Sequence, residues 1–152
     1  MSFKLIHVGV GGRGGHWLEF IAGRQDFQSV ACVDVDQAAL ARVGGKVGCS
    51  TFTDLDQALA QTEADGVIVT SPSSSHGRQA MQALDAGFPV MVEKPLAPSL
   101  AEAVDLVERA RRLQRPLMVA ENYRFFQAER TLRKALAGQL IGKILAAVCI
   151  DR

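Results

Sequence analysis

The stretch FKLIHVGVGGRGGHWLEF, near the start of the chain, constrains the fold more than any other. Over 4–10, Leu5, Ile6, Val8 and Val10 form a nearly unbroken β-forming run, as in a strand buried on both faces. After Gly14, Trp17, Leu18 and Ile21 read as a helix that Gly23 can end. Between the two lies Gly9-Val10-Gly11-Gly12-Arg13-Gly14, a match to G-x-G-x-x-G. Alone the match is weak. Between a strand and a helix it describes a turn that brings backbone against a pyrophosphate. Gly9 permits the tight turn, Gly11 leaves space for phosphate, and Gly14 lets helix and strand pack closely. Amides at the helix start then face the anion. Gly12 and Arg13 fill the variable positions, and Arg13 either contacts phosphate or extends into water.

An acidic residue is expected about 20 positions further on. Asp34 is there, at the end of a second strand over 28–34, suited to accept hydrogen bonds from ribose hydroxyls. Val35 follows where a basic residue would help hold a 2′-phosphate, which favours NAD over NADP; Arg42 keeps NADP open. Asp36 is better placed as the cap of a helix over 36–43.

The rest of the chain repeats the alternation. A short strand around 49–52 precedes a helix begun by Asp54 and Gln57. DGVIVTSP over 65–72 is a fourth strand ended by Pro72, followed by a helix over 74–86 that Gly87 closes. FPVMVE opens a fifth strand. Ser99 and Glu102 form a capping box for a helix with apolar residues at 100, 104, 107 and 110. PLMVAE over 116–121 is the sixth strand. Six alternations predict an α/β fold with a doubly wound, mostly parallel sheet and helices on both faces. After Glu121 the pattern changes to an amphipathic helix over 124–137 and a β-like run over 143–150. This predicts a dinucleotide-binding domain over 1–121, then a junction helix and the first strand of a second domain over 122–152, a domain otherwise absent from the chain.

Composition narrows the function classes. With 48% apolar and 22% charged residues, the 152-residue chain is globular, and its formal charge of +1 gives no electrostatic case for nucleic acid. Arg109, Arg111, Arg112 and Arg115 fall late in a helix, where they complement its dipole. No signal peptide or membrane span is visible. Cys32, Cys49 and Cys149 lack metal-ligand spacing and read as reduced thiols of a cytoplasmic protein.

Two further stretches lie at the carboxyl ends of strands, where such sheets bind ligands. In Thr70-Ser71-Pro72-Ser73-Ser74-Ser75-His76, hydroxyls and amides can approach the cofactor's ribose or phosphates, although helix capping by Ser73 or Ser74 explains part of the serine density. His76 is read as structural. In Glu93-Lys94-Pro95, Lys94 can reach the nicotinamide ribose and a substrate hydroxyl and share in proton transfer, with Glu93 orienting it. The competing reading is a solvated salt bridge at a strand end.

VGVGGRGGHW, DGVIVTSPSSSHGRQAMQALDAGFPVMVEKPLA, and ENYRF followed by GQLIGKI together resemble the Gfo/Idh/MocA oxidoreductase family over residues 4–152. The resemblance implies that Gly9, Gly11 and Gly14 form the dinucleotide loop, that Asp34 binds ribose, and that Lys94 is the active-site lysine, followed by a cis proline at Pro95. It aligns Pro72 with the proline after the fourth strand. Ser73 departs from the asparagine common there, which weakens any side-chain role at that position. It places Asn122 and Arg124 near the nicotinamide end or the substrate, against the simpler reading of a capped, solvated helix start. It implies a sugar, polyol or cyclic alcohol substrate, a homo-oligomer when full length, no nucleic-acid or membrane partner, and a second domain supplying an aspartate and a histidine. The expected activity is that of an NAD-dependent dehydrogenase, with the 152-residue chain alone inactive. The alternatives are a nucleotide-binding module without turnover and an NAD-using glycosidase; a methyltransferase leaves Glu93-Lys94-Pro95 unexplained.

Overall fold

The computed structural model describes residues 1–140, 142–146 and 148. It divides into two units, Met1–Ala120 and Glu121–Arg152. In the first, β1 (Phe3–Val8), β2 (Phe27–Val33), β3 (Ser50–Phe52), β4 (Gly66–Val69), β5 (Val90–Val92) and β6 (Leu117–Val119) form one sheet in the order β3-β2-β1-β4-β5-β6. Every pairing is parallel. The connecting helices are α1 (Gly12–Ala22), α2 (Gln37–Val47), α3 (Leu55–Gln61), α4 (Ser73–Asp85) and α5 (Leu100–Leu113). This is the doubly wound α/β architecture expected. The strand order reverses between β1 and β4, and the crevice at such a reversal is where these sheets take ligands.

The two-residue period of the strands sorts the core. Ile6, Val8, Ala31, Val33, Val67, Val69, Val90 and Val92 face one side and pack with residues of α3, α4 and α5, including Leu55, Leu59, Leu84 and Leu106. The opposite face packs Cys32 against Leu18, Ala39 and Leu40, and Leu5 and Ile68 against Ile21. Within the first unit, α1 and α2 lie over β1–β3 on that second face. Met118 of β6 shares the face through its register with Met91 and remains 46% exposed. Helical cover of both faces is therefore less even than the alternation implied.

Several boundaries differ for local reasons. α1 begins at Gly12 rather than after Gly14, because Gly11 is the extended N-cap and its carbonyl accepts from Gly15 N at 2.8 Å. α2 continues past Val43 to Val47, where Gly48, at φ 68°, supplies the left-handed closure. Asp36 caps α2 through Ala38 N (2.8 Å), Asp54 caps α3 through Gln57 N (2.9 Å), and Ser99 caps α5 through Glu102 N (3.3 Å). The serines after Pro72 do not cap α4: Pro72 is its N-cap and Ser73–Ser75 lie inside the first turn.

In the second unit, the helix expected over 124–137 is broken. A 3-10 turn, Tyr123–Phe125, is separated from α6 (Gln127–Ala137) by Phe126, whose ψ of 149° is extended. Of the β-like run at 143–150, residues 143–146 and 148 lie in no regular element, and 147, 149 and 150 fall outside the described residues. Among the described residues no helix is long and apolar enough to cross a membrane.

Candidate cofactor and active site

The site starts from ladder hydrogen bonds that carry the strand ends into their loops. Gly9 N donates to Val33 O (2.8 Å), Thr70 N to Val8 O (2.7 Å) and Glu93 N to Val69 O (2.8 Å). The loops after β1, β2, β4 and β5 are thereby held along one edge of the sheet.

Steric limits distinguish the glycines. Gly9 has φ +86°, and a Cβ there would stand 2.4 Å from Ser71 N. At Gly14 a Cβ would stand 1.9 Å from Gly9 O and 2.7 Å from Thr70 Oγ1. Both positions exclude a side chain because the chain itself fills the space. Gly11 and Gly12 differ: a Cβ at either meets nothing within 4 Å. No described residue crowds a side chain at 11, so the space beside it is open to a ligand. The first-turn amides of α1 have no intrahelical acceptor and no side-chain cap, and that turn carries no acidic residue of its own. That combination suits a bound anion.

Asp34 closes the loop from the β2 side. One carboxylate oxygen accepts from Val10 N at 2.9 Å and the other from Asp36 N at 3.0 Å. Each keeps a lone pair to accept a further hydroxyl. The same side chain therefore shapes the turn and presents an acceptor. Val35 beside it is 89% exposed. A cleft runs from Gly9 and Asp34 past Thr53 to Ser71, Pro72 and Arg78. Ser71 Oγ donates to Gln79 Oε1, which fixes its hydroxyl inward on α4. Arg78 was missed from the sequence, because only the packing of α4 brings it to the cleft that holds Asp34.

At the β5 end the expected pairing is rearranged. Glu93 is 8% exposed, and its partners among the described residues are Trp17, Arg13 and the Lys94 backbone amide rather than the Lys94 ammonium. Its Oε1 accepts from Trp17 Nε1 at 3.0 Å and lies 3.4 Å from Arg13 Nε. Its Oε2 accepts from the Lys94 backbone N at 3.2 Å. A buried carboxylate requires such partners, and α1 supplies two of them. Arg13 is thus drawn toward Glu93 rather than simply into water. Lys94 remains exposed, and the Lys94–Pro95 peptide is cis.

Two buried groups fasten the edge. Thr70 Oγ1 donates to Gly9 O at 2.6 Å. His76, 2% exposed, sets Nδ1 2.7 Å from Pro95 O and Nε2 2.7 Å from Ser71 O, tying the loop after β5 to the loop after β4. The ring is spent on backbone carbonyls, which accounts for its structural reading. Thr70, read from the sequence among the hydroxyls able to approach the cofactor, directs its hydroxyl to the Val8 and Gly9 carbonyls, where β1 passes into its loop.

Asn122 and Arg124 belong to the second unit. Asn122 makes no side-chain cap, which removes the capping explanation for it, and the Arg124 guanidinium lies 5.5 Å from the Phe125 ring centroid. No group of three or more His, Cys, Asp or Glu suited to a metal occurs among the described residues.

The model of the Gfo/Idh/MocA oxidoreductase family, NAD-binding Rossmann fold, matches residues 3–121. An inositol 2-dehydrogenase of Mycolicibacterium gilvum is 31% identical over 99% of this chain and 44% of its own length. The WlbA dehydrogenase of Bordetella pertussis, solved with NADH and UDP-GlcNAcA, superposes with TM-score 0.89 at 26% identity, covering 94% of this chain and 45% of that one. The scyllo-inositol dehydrogenase of Lactobacillus casei, solved with NAD(H) and scyllo-inositol, gives TM-score 0.87 at 25% identity over 94% and 43%. The chain spans less than half the length of these relatives.

Proposed function

The chain belongs to the Gfo/Idh/MocA oxidoreductase family and carries its NAD-binding Rossmann domain; from that premise we propose that Gly9–Gly14 and Asp34 hold NAD while Lys94 serves the reacting end, for dehydrogenation of a polyol, sugar or cyclic alcohol. The open space at Gly11, set between glycines that the chain itself requires, carries this reading. The amides of Gly12 and Arg13 would face the pyrophosphate. The remaining lone pairs of Asp34 would accept the adenine ribose hydroxyls, and Ser71 and Pro72 would line the path between them. Bound NAD supplies the hydride acceptor.

Glu93 holds the backbone of Lys94 while its own charge is occupied by Arg13 and Trp17. The Lys94 side chain is consequently free to reach the nicotinamide ribose and the substrate hydroxyl, to place charge beside that oxygen and to take part in moving its proton. Residues 1–121 form the cofactor domain in this reading. Residues 122–152 lead into the substrate-binding part, with Asn122 and Arg124 at the junction. NAD is preferred over NADP because Asp34 would repel a 2′-phosphate and Val35 offers it no partner. Arg78 on the same cleft is the residue through which NADP would be accommodated.

Calorimetry of the chain with NAD, NADP and S-adenosylmethionine tests the proposal. NAD should bind most tightly, and Gly11→Ala should weaken it. Preferred binding of S-adenosylmethionine overturns the reading, and tighter NADP binding overturns the specificity assigned to Asp34.

A further inference from the structure

Two thiols meet on the sheet face beneath α1 and α2. Cys32, in β2, is 0% exposed. Cys49, immediately before β3, is half-buried and reachable from solvent. Cys32 lies opposite Thr51 in the parallel ladder, so Cys49, two residues earlier than Thr51, falls on the same face. Both belong to the apolar cluster of Val10, Leu18, Ala39 and Leu40. Their sulfurs are 3.3 Å apart. A disulfide holds them at about 2 Å, so bond formation needs a closure of only roughly 1 Å.

We propose that Cys32 and Cys49 are a reversible oxidation site for peroxides, with Cys49 the attacking sulfur and Cys32 the resolving one. The Cys49 thiolate attacks one peroxide oxygen. The O–O bond breaks, an S–O bond forms, and the departing hydroxide is protonated to water. The Cys32 sulfur then attacks the Cys49 sulfenic sulfur. An S–S bond forms, the S–O bond breaks, and the leaving hydroxide takes the Cys32 proton as a second water. Two electrons pass from the sulfurs to the peroxide, and an added thiol or phosphine returns them.

The division of labour follows from the surroundings. The hydrogen bond with Cys32 brings the Cys49 thiol down to about 7, against the opposing effect of burial. The Cys32 thiol is pushed up by that contact and by its own burial. When Cys49 ionises, the Cys32 S–H is the proton its sulfur accepts. The accessible sulfur is thus the one that forms a thiolate, as a peroxide-sensitive cysteine requires. Its resolving partner is already in contact, so oxidation stops at the disulfide before a second peroxide arrives. The closed ring spans α2 and fastens β3 to β2. Asp34 N already donates to Phe52 O at 3.1 Å, so the staple secures the strand that supports Asp34.

The test is peptide mass spectrometry of the folded chain after hydrogen peroxide, without reductant. The expected main product is a Cys32–Cys49 linked peptide, reversed by a phosphine, in a chain whose thermal midpoint is above that of the reduced form. In Cys32→Ala, Cys49 should instead gain two oxygens as a sulfinic acid. In Cys49→Ser, a change at a half-exposed position that keeps the core intact, Cys32 should stay unmodified. Sulfinic acid at Cys49 of the unmutated chain, or a main crosslink through Cys149, overturns the proposal.

Discussion

The loop after β1 and the loop after β5 lie on the same sheet edge but are fixed by different physics. At Gly9–Gly14 the constraint is backbone against backbone: Gly9 presses on Ser71 and Gly14 on Gly9 O. At Glu93–Pro95 it is charge and hydrogen bonding: Glu93 is sunk among Trp17, Arg13 and the Lys94 amide, while the Lys94 side chain is left exposed. One loop tolerates no added atom at two positions. The other depends on keeping the buried carboxylate satisfied and Pro95 O bonded to His76. The contrast separates what builds the site from what is free to react.

Substitution inside the glycine loop gives the largest expected effect. Gly14→Ala should cost more than about 4 kcal/mol or prevent folding, because its methyl would collide with Gly9 O and Thr70 Oγ1. Gly11→Ala should cost no more than about 1 kcal/mol, since its methyl meets nothing and only the N-cap preference for glycine over alanine is lost. Urea denaturation of both variants checks this, and equal losses would erase the distinction between structural and ligand-facing glycines.

Acid should weaken the β1 side next. His7 is 0% exposed, its Nε2 lies 3.1 Å from Ser29 Oγ, and its Nδ1 has no partner among the described residues. Burial lowers its pKa from 6.5 to about 4. The unfolded chain therefore binds this proton first. Stability is unaffected by His7 above about pH 6.5 and falls as the pH drops from there toward 4, by about 3 kcal/mol in total. His7→Gln should flatten the dependence in that window. An unchanged slope of midpoint against pH would show that the strand beneath the glycine loop is not the acid-sensitive element.

The smallest effects belong to the β5 loop. Trp17→Phe keeps most of the ring and removes the indole N–H from a buried carboxylate, at a cost of about 1–3 kcal/mol. Lys94→Ala should fall within about 0.5 kcal/mol of the original, because the side chain is exposed. Thermal melts distinguish them. A larger loss for Lys94→Ala than for Trp17→Phe would mean that Lys94 helps hold the loop and is not reserved for chemistry.

By itself the sequence determined the order of strands and helices, the glycine turn, and the acid at the end of β2. These rest on local rules: strand and helix periods, caps, and backbone conformations that only glycine adopts readily. The helix ends at Gly12 and Val47 and the break at Phe126 shifted because helix boundaries depend on individual backbone bonds that patterns do not resolve. The tertiary structure alone decided the partners of the charged groups. Glu93 chose Trp17 and Arg13 over the ammonium beside it, Arg78 reached the cleft of Asp34, and Cys49 met Cys32. Each of these contacts joins segments well apart in the chain. A buried charge or thiol takes whichever partner the packed helices bring within reach, and that distance exists only once the sheet has formed.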